Sequence, residues 1–134
     1  MFKNKRELVS HGFCEGREAV LEIMKAAINS VNSYEATMKK IRLEENTLFI
    51  SDRCYDLSEI ENVYIIGGGK ATLSIAQALE EILGERISDG AINVKEKNRE
   101  LDRITVTEAG HPVPNKEGLE GAKKITEIAE KAKK

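Results

Sequence analysis

Long apolar segments are missing from this sequence. No stretch approaches the roughly 20 apolar residues of a membrane-spanning helix, and the first residues, MFKNKRELVSHGF, contain no apolar run of signal-peptide length. The chain has only two cysteines, Cys14 and Cys54, without CxxC spacing or a His-rich neighbourhood. Such cysteines indicate reduced thiols rather than a disulfide framework or a zinc site. These absences predict a soluble, cytoplasmic protein with no membrane partner and no metal site.

The sequence also lacks an excess of either charge. Its 21 basic and 23 acidic residues leave a net charge of −2, with both signs interspersed. A protein that binds nucleic acid or an anionic membrane normally carries a basic patch, so this balance argues against both partners. The 134 residues and the hydrophobic fraction of 40% predict one domain with a packed core and no need for disulfide or metal staples.

The first part of the chain predicts a helical lead followed by a small β-hairpin. Residues 1–40 form the lead, because apolar residues recur at three- and four-residue steps over Glu15–Val31 and a second short helix is expected from Ser33. Residues 41–61 are predicted to be a hairpin and a polar connector. Apolar alternation on both sides of the polar turn Glu44–Asn46 is the signal for the hairpin.

Residues 62–134 predict alternating strands and helices. Asn62–Ile66 is a short run rich in β-branched residues, which suits a strand buried on both faces, and Gly67–Gly69 ends it. The elements expected after these glycines are a helix over Lys70–Leu83, strands over Gly90–Val94 and Arg103–Thr107, and a last helix from about Lys116. This order indicates an α/β fold with a Rossmann-like, mostly parallel sheet flanked by helices.

The link between the last two strands is unusually short. Eight residues separate Val94 from Arg103, whereas parallel strands are normally joined by a dozen or more residues that include a helix. Eight extended residues reach roughly 26 Å and a five-residue strand is about 17 Å long, so a loop crossover is geometrically possible. An antiparallel connection satisfies the same spacing. Both alternatives stay open on geometry alone.

The glycine triplet before the central helix is a candidate anion site. Gly67–Gly69 would let the backbone approach an anion closely, and Lys70 adds a full positive charge. Neither established nucleotide motif is met. A P-loop requires a glycine where Tyr64 stands and a Ser or Thr at Ala71, and the dinucleotide fingerprint fails at Thr72. The alternative is a tight strand-to-helix turn with Lys70 as a solvated surface residue.

A second candidate site lies in the loop from Glu108 to Asn115. Glu108, Gly110 and His111 stand in a segment stiffened by both prolines of the chain, Pro112 and Pro114. Rigid loops at strand ends commonly carry binding and catalytic residues. The alternative is that Glu108 is a surface or capping carboxylate and His111 a turn residue bonded to the backbone.

Taken together, the two loops resemble a known family. The strings Tyr64-Ile-Ile-Gly-Gly-Gly-Lys-Ala71 and Glu108-Ala-Gly-His-Pro-Val-Pro114, in this order, resemble the N-terminal domain of the glycerate 2-kinase family. Some members of this family have also been labelled hydroxypyruvate reductases. The resemblance covers about Asn62 to Ala129.

This resemblance implies ATP- and Mg²⁺-dependent phosphoryl transfer to the 2-hydroxyl of D-glycerate, in a cleft between this domain and a second one. It implies that Lys70 is catalytic and stabilises the substrate carboxylate or the transferring phosphoryl oxygens. Gly67, Gly68 and Gly69 would bind the cofactor. Glu108, Gly110 and His111 would contact or shape the site for the substrate. The resemblance also favours the loop crossover, because both motifs should face one cleft.

The sequence departs from the family pattern in ways that bear on activity. Asn115 stands where the family commonly has Asp, and Thr72 where Ala is common. The family's later Ser-Gly-Gly-Gly-Ser-type loop and its C-terminal domain have no counterpart here. We therefore expect a truncated, N-terminal part of a longer two-domain enzyme that is inactive alone, because one wall cannot complete an Mg-ATP site.

Two other functions stay open. A non-catalytic anion-binding, small-molecule-binding or assembly module would keep the fold without the chemistry, and it could associate with a separately encoded catalytic half. An NAD-dependent reductase is the weakest alternative. An exposed apolar stripe would favour the kinase part or split enzyme over a stand-alone module. A homo-oligomer also stays open.

Overall fold

The computed structural model describes residues 2–133, and these residues form two compact units. The first unit extends to Asn32 and the second begins at Ser33. The first unit contains helices α1 (Lys5–Leu8) and α2 (Cys14–Ser30). The predicted long helix is thus present, displaced by one residue at each end.

Helix α2 has an apolar stripe that is mostly exposed. Leu21 is its one buried residue. Ile23 is 69% exposed, Val20 54% and Ile28 47%. The stripe that the sequence predicts therefore exists, but most of it is not used to build a core within the described chain.

The second unit begins with a helix and a small antiparallel sheet. Helix α3 (Ser33–Lys40) leads into β1 (Ile41–Glu44), β2 (Thr47–Ile50) and β3 (Arg53–Asp56), in the order β1-β2-β3. The predicted hairpin is confirmed. The polar connector after it, however, contains β3, which the sequence analysis missed. All four residues of β3 are exposed, so no apolar alternation marks it.

A three-stranded parallel sheet forms the rest of the second unit. Its elements are β4 (Val63–Gly68), α4 (Thr72–Leu83), β5 (Ile87–Val94), β6 (Thr105–Glu108) and α5 (Lys116–Lys131). The strand order is β4-β5-β6, and both pairings are parallel. The predicted α/β fold with a mostly parallel sheet flanked by helices is confirmed.

The connection between β5 and β6 is a loop crossover. Residues 95–104 join two parallel strands without a helix. Of the two alternatives that the spacing leaves open, the one favoured by the family resemblance is therefore the observed one. The crossover brings the carboxyl end of β6 beside the carboxyl end of β5.

The prediction that the first parallel strand is buried on both faces is wrong. Strand β4 lies at the edge of the sheet, and Ile66 is 48% exposed. The central strand is β5, where Ile87, Ala91 and Ile92 are almost fully buried. A run of β-branched residues indicates a strand, but pairing with other strands decides whether it lies at the centre or the edge.

The two helices pack on opposite faces of the sheet. Ile92 and Val94 of β5 belong to the core cluster that includes Leu73, Ala76 and Leu83 of α4. The alternate residue Asn93 points to α5, where its Nδ2 donates to the carbonyl oxygen of Gly118 at 2.8 Å. Because successive side chains of a strand point to opposite faces, α4 covers one face of the sheet and α5 the other.

Candidate functional site at the carboxyl edge of the parallel sheet

All three parallel strands end at one edge, and both predicted site loops leave from it. Strand β4 ends at Gly68, β5 at Val94 and β6 at Glu108. Backbone bonds continue the ladder past the strand ends. The amide of Gly69 donates to the Asn93 carbonyl at 3.0 Å, and that of Ala109 donates to the Val94 carbonyl at 2.8 Å. In open α/β sheets, ligands bind at this edge.

The glycine loop is tightly turned and leaves Lys70 outside the helix. Gly69 has a φ of +131°, which L side chains rarely adopt, so glycine is required there. A Cβ added to Gly67 would stand 3.0 Å from Thr72 Cγ2. A Cβ added to Gly68 would meet only the Asn93 carbonyl oxygen, at 3.8 Å. Helix α4 begins at Thr72 rather than at Lys70. The expectation that Lys70 lies in the first turn of the helix is therefore wrong.

The amino group of Lys70 is free within the described chain. Among residues 2–133, no group accepts a hydrogen bond from Lys70 or forms an ion pair with it. Lys70 lines two cavities, one between the two loops and one beside α4. Its full charge is thus available to an anion on either side.

The second loop is held by side-chain acceptors. Asn115 is the N-cap of α5, and its Oδ1 accepts from the amide of Gly118 at 3.0 Å and from that of Gly110 at 2.7 Å. Glu108 Oε2 accepts from the backbone amide of Lys97 at 2.8 Å. The peptide bond between His111 and Pro112 is cis. Glu108 and Asn115 therefore order this loop and the start of the β5–β6 crossover.

A small cavity of about 200 Å³ lies between the two loops. Its lining includes Gly69, Lys70, Asn93, Lys95, Gly110 and His111. The structure thus brings together four residues that the sequence singled out: Gly69, Lys70, Gly110 and His111. Gly67, Gly68 and Glu108 do not line this cavity. Glu108 instead lines a neighbouring cavity of about 450 Å³, together with His111 and Lys95.

Two lining residues, Asn93 and Lys95, were missed by the sequence analysis. Asn93 Oδ1 is buried without a hydrogen-bond partner among the described residues. It lies against Gly121 of α5, where an added Cβ would overlap it. The available signal was a polar residue, Asn93, within the apolar run of β5, followed by a lysine just past the strand end. Both positions belong to the edge where ligands bind in this class of sheet.

Metal and membrane features are not found in the described residues. Over residues 2–133, no group of three or more His, Cys, Asp or Glu side chains is placed to hold a metal ion. None of the described helices has the length and apolarity that a membrane span requires.

The fold and this edge define an α/β domain with a glycine loop, an unpaired lysine and a proline-stiffened loop around a small cavity. A protein-family profile described as "Domain of unknown function (DUF4147)" matches residues 19–134, and the chain belongs to that family.

Its relatives include named kinases. The chain is 31% identical to the glycerate 2-kinase of Pyrococcus horikoshii over 118 residues, which cover 87% of this chain and 26% of that protein. It is 25% identical to the D-glycerate 2-kinase of Thermotoga maritima over 119 residues, 85% of this chain and 24% of that one. The glycerate kinase of Rattus norvegicus is 28% identical over 131 residues, with 85% and 25% covered. The chain thus spans about a quarter of the length of these relatives.

A solved structure has a similar fold. The crystal structure of the PH0495 protein from Pyrococcus horikoshii OT3 superimposes with a TM-score of 0.67 and 32% sequence identity, over 80% of this chain and 24% of that one. Together with the kinase relatives, this match confirms the resemblance to the glycerate 2-kinase family.

Proposed function

We propose that this chain is the N-terminal domain of a glycerate kinase and forms one wall of its active site. The single observation that carries the proposal is the cavity where the two family-like loops meet, with Lys70 on one side and His111 on the other. The relatives named as glycerate kinases support the choice of substrate. The proposed reaction moves the terminal phosphoryl group of ATP to the 2-hydroxyl of D-glycerate.

In this proposal, the small cavity holds glycerate. A volume of about 200 Å³ suits a molecule much smaller than a nucleotide. Lys70 neutralises the glycerate carboxylate or the transferring phosphoryl oxygens, which is the main contribution a protein makes to phosphoryl transfer. The backbone of Gly69 and Gly110 allows close approach, and His111 offers hydrogen-bonding capacity near the substrate. Glu108 acts through the loop that it orders rather than by direct contact.

The cofactor is proposed to be ATP with Mg²⁺. The cationic side chains Lys70 and Lys95 suit phosphate groups. Residues 2–133 offer no cluster of acidic or histidine ligands for a metal ion. When bound, Mg²⁺ would neutralise phosphate charge, with water and the phosphate oxygens completing its coordination. ATP as donor is consistent with a cytoplasmic location, which we include in the proposal.

The active site is proposed to need a second domain. We divide the chain into the helical lead (residues 1–40), the hairpin and connector (41–61) and the glycine-loop core (62–134), together forming the N-terminal part of a two-domain enzyme. The exposed apolar residues of α2, such as Val20 and Ile23, favour this arrangement over a stand-alone binding module, because a self-sufficient domain rarely leaves such a stripe uncovered.

Substrate binding can be tested on the 134-residue protein by NMR. Titration with D-glycerate should shift the backbone amides of Gly69, Lys70, Gly110 and His111, and Lys70→Ala should remove most of this response. L-glycerate and D-lactate are matched ligands that alter one stereocentre or one hydroxyl, and both should bind more weakly. Acetate controls for non-specific carboxylate binding.

Turnover can be tested in a chimera. The corresponding quarter of the Pyrococcus horikoshii glycerate 2-kinase is replaced by this chain, and formation of 2-phosphoglycerate from Mg-ATP and D-glycerate is measured. The 134-residue protein alone should give no product. A folded chimera without turnover, combined with no glycerate-induced shifts in either loop, would contradict the proposal.

A further inference from the structure

A second, larger cavity lies on the other side of Lys70, between α4 and the β5–β6 crossover. Its volume is about 380 Å³, at the lower end of the range of about 300–1,000 Å³ that is usual for small-molecule sites. The basic and uncharged polar residues that line it are Lys70, Ser74, Gln77, Lys95, Asn98 and Arg99. Apart from Lys70, the residues that line this α4-side cavity lie outside both sequence motifs.

The charge of the α4-side cavity is strongly positive for a protein of net charge −2. Three cationic side chains line it, against one acidic side chain, Glu96, among its described lining residues. Glu96 forms an ion pair with Lys95 at 3.1 Å. Neither Lys70 nor Arg99 forms a close ion pair with a carboxylate within residues 2–133; Arg99 acts on Glu81 only through its charge. Two unpaired cations therefore border one cavity and attract an anion of more than one charge.

The carboxylate of Glu81, on which the charge of Arg99 acts, is already hydrogen-bonded. Glu81 accepts from the hydroxyl of Tyr34 at 2.5 Å and from Nε2 of Gln77 at 2.9 Å. These two donors, with a smaller contribution from the charge of Arg99, lower the pKa of Glu81 below its ordinary value. Arg99 thus has no close ion pair with this acid, and its planar fork of donors stays available for a phosphate oxygen pair.

The α4-side cavity and the small cavity share a border. Lys70 and Lys95 line both of them, whereas Arg99 belongs to the larger one and His111 to the smaller one. Two anionic molecules could thus lie on either side of the same two ammonium groups. A phosphoryl donor and its acceptor need this kind of adjacency, because the transfer depends on positioning and on neutralising charge between them.

We propose that the α4-side cavity is the subsite for the oligophosphate chain of a nucleoside triphosphate, with Arg99 as its specific anchor. Lys70 and Lys95 stand at the border with the small cavity, so the terminal phosphate lies nearest to them and the inner phosphates lie towards Arg99. This inference rests on the proposed function, since it divides the same site into a donor part and an acceptor part.

The test measures binding of inorganic tripolyphosphate and of ATP to the 134-residue protein at low ionic strength, by calorimetry and by NMR. Both ligands should shift the amides of Ser74, Asn98 and Arg99. Arg99→Gln should weaken both affinities roughly tenfold, the effect of losing one charge-assisted hydrogen-bonding group. Lys97→Gln is the matched control, because it removes the same charge from the same crossover at a side chain that pairs with Glu100 at 2.6 Å. It should change the affinity less than about twofold, the weak effect of a charge outside the cavity.

Each outcome bears on the proposal. Equal losses in the Arg99 and Lys97 variants, no binding of either ligand, or shifts confined to other surfaces would overturn the subsite. ATP binding much more weakly than tripolyphosphate would overturn the nucleotide as the ligand, because its nucleoside would then not fit beside the subsite. D-glycerate is titrated separately. Glycerate-induced shifts without oligophosphate binding would leave the proposed function standing and remove only the subsite. Oligophosphate binding without glycerate-induced shifts would support an anion site here but count against the proposed function.

Discussion

The two loops at the carboxyl edge of the sheet are built in different ways. The glycine loop is short, and one of its residues, Gly69, needs positive φ; Lys70 has no partner among residues 2–133. The loop from Glu108 to Asn115 is tied down at both ends, by Glu108 to the crossover and by Asn115 to Gly110 and to α5. The first loop therefore presents a charge that the described fold does not use, while the second presents a rigid frame.

This difference teaches how binding and stability are divided in the domain. A side chain without a structural partner can be removed at little cost to folding, because nothing in the core depends on it. A side chain that accepts hydrogen bonds from two backbone amides fixes the positions of both backbone segments, so its loss should destabilise the fold. Substitution of Lys70 in the first loop should therefore affect ligand binding, and substitution of the side-chain acceptors in the second loop should affect stability first.

The largest effect is expected for Lys70→Ala in the chimeric kinase. Turnover should fall at least about 100-fold, the usual consequence of losing one preorganised charge-stabilising group. The denaturation midpoint of the 134-residue variant should stay unchanged, since Lys70 has no partner in the described fold. Lys116→Ala, which removes an equal charge from the exposed start of α5, is the control and should keep near-normal turnover. Retained turnover in the Lys70 variant would refute its catalytic assignment.

The next effect is a loss of stability in Gly121→Ala. The new methyl group would overlap Asn93 Oδ1 and would stand 3.0 Å from Thr107 Cβ, so either the Asn93 side chain or α5 must shift. Overpacking of this kind costs about 1–3 kcal/mol of unfolding free energy, measured by urea denaturation. Gly118→Ala is the control on the same helix.

At Gly118 the nearest atom is Asn115 Oδ1 at 3.1 Å, so a small adjustment suffices there. The helix propensity gained by alanine, up to about 1 kcal/mol, offsets that adjustment. We expect Gly118→Ala to be clearly more stable than Gly121→Ala. The reverse order would show that the contact between α5 and Asn93 does not set the position of the helix.

A smaller loss is expected for Asn115→Ala, which removes the N-cap of α5 and the acceptor of the Gly110 amide. The cost should be about 1 kcal/mol in unfolding free energy, with faster hydrogen exchange at Gly110 and Gly118. Asn115→Asp keeps an acceptor at the same position and adds a negative charge at a helix N-terminus, so it should restore the stability. Equal losses in both variants would argue against the capping role.

The smallest effect is expected for an ion pair that belongs to neither loop. Lys131 Nζ donates to Asp89 Oδ2 at 2.7 Å, and this hydrogen bond is the main cause of the lowered pKa of the Asp89 carboxyl. The stabilisation is complete above the ordinary aspartate pKa of about 3.9 and disappears as the pH falls through the lowered value of the folded state.

Denaturation midpoints of the natural chain and of Asp89→Asn, measured over a pH series, check this expectation. Asp89→Asn should lower the midpoint slightly near neutral pH, because exposed ion pairs contribute little. The difference between the two proteins should vanish in acid. A difference that does not depend on pH would mean that Asp89 acts through packing rather than through its charge.

Local patterns in the sequence predicted much of the fold. The helix α2 and the hairpin β1–β2 follow from apolar periodicity, and Gly84, with a φ of +49°, ends α4 where expected. The strand β3 escaped prediction because all its residues are exposed, so its identity depends on pairing with β2. The edge position of β4 likewise depends on which strand pairs with it.

The candidate site was only partly predictable for the same reason. Gly69, Lys70, Gly110 and His111 carry recognisable loop chemistry and meet at one cavity. Asn93, Lys95 and Arg99 are unremarkable in the sequence, since an isolated polar or basic residue near a strand end has many uses. They join the site because the crossover is a loop and because β5 ends between the other two strands.

By itself, the sequence determined the alternation of strands and helices, the two loops that carry chemistry, and the family to which they belong. These features rest on residues close together in the chain, where periodicity, glycine and proline act locally. The tertiary structure alone decided that β5 and β6 are parallel, that both loops share one edge, and that Arg99 comes to border a cavity with Lys70. Those features depend on contacts between distant segments, whose free energy is set by the packing of the whole sheet and is not encoded in any single segment.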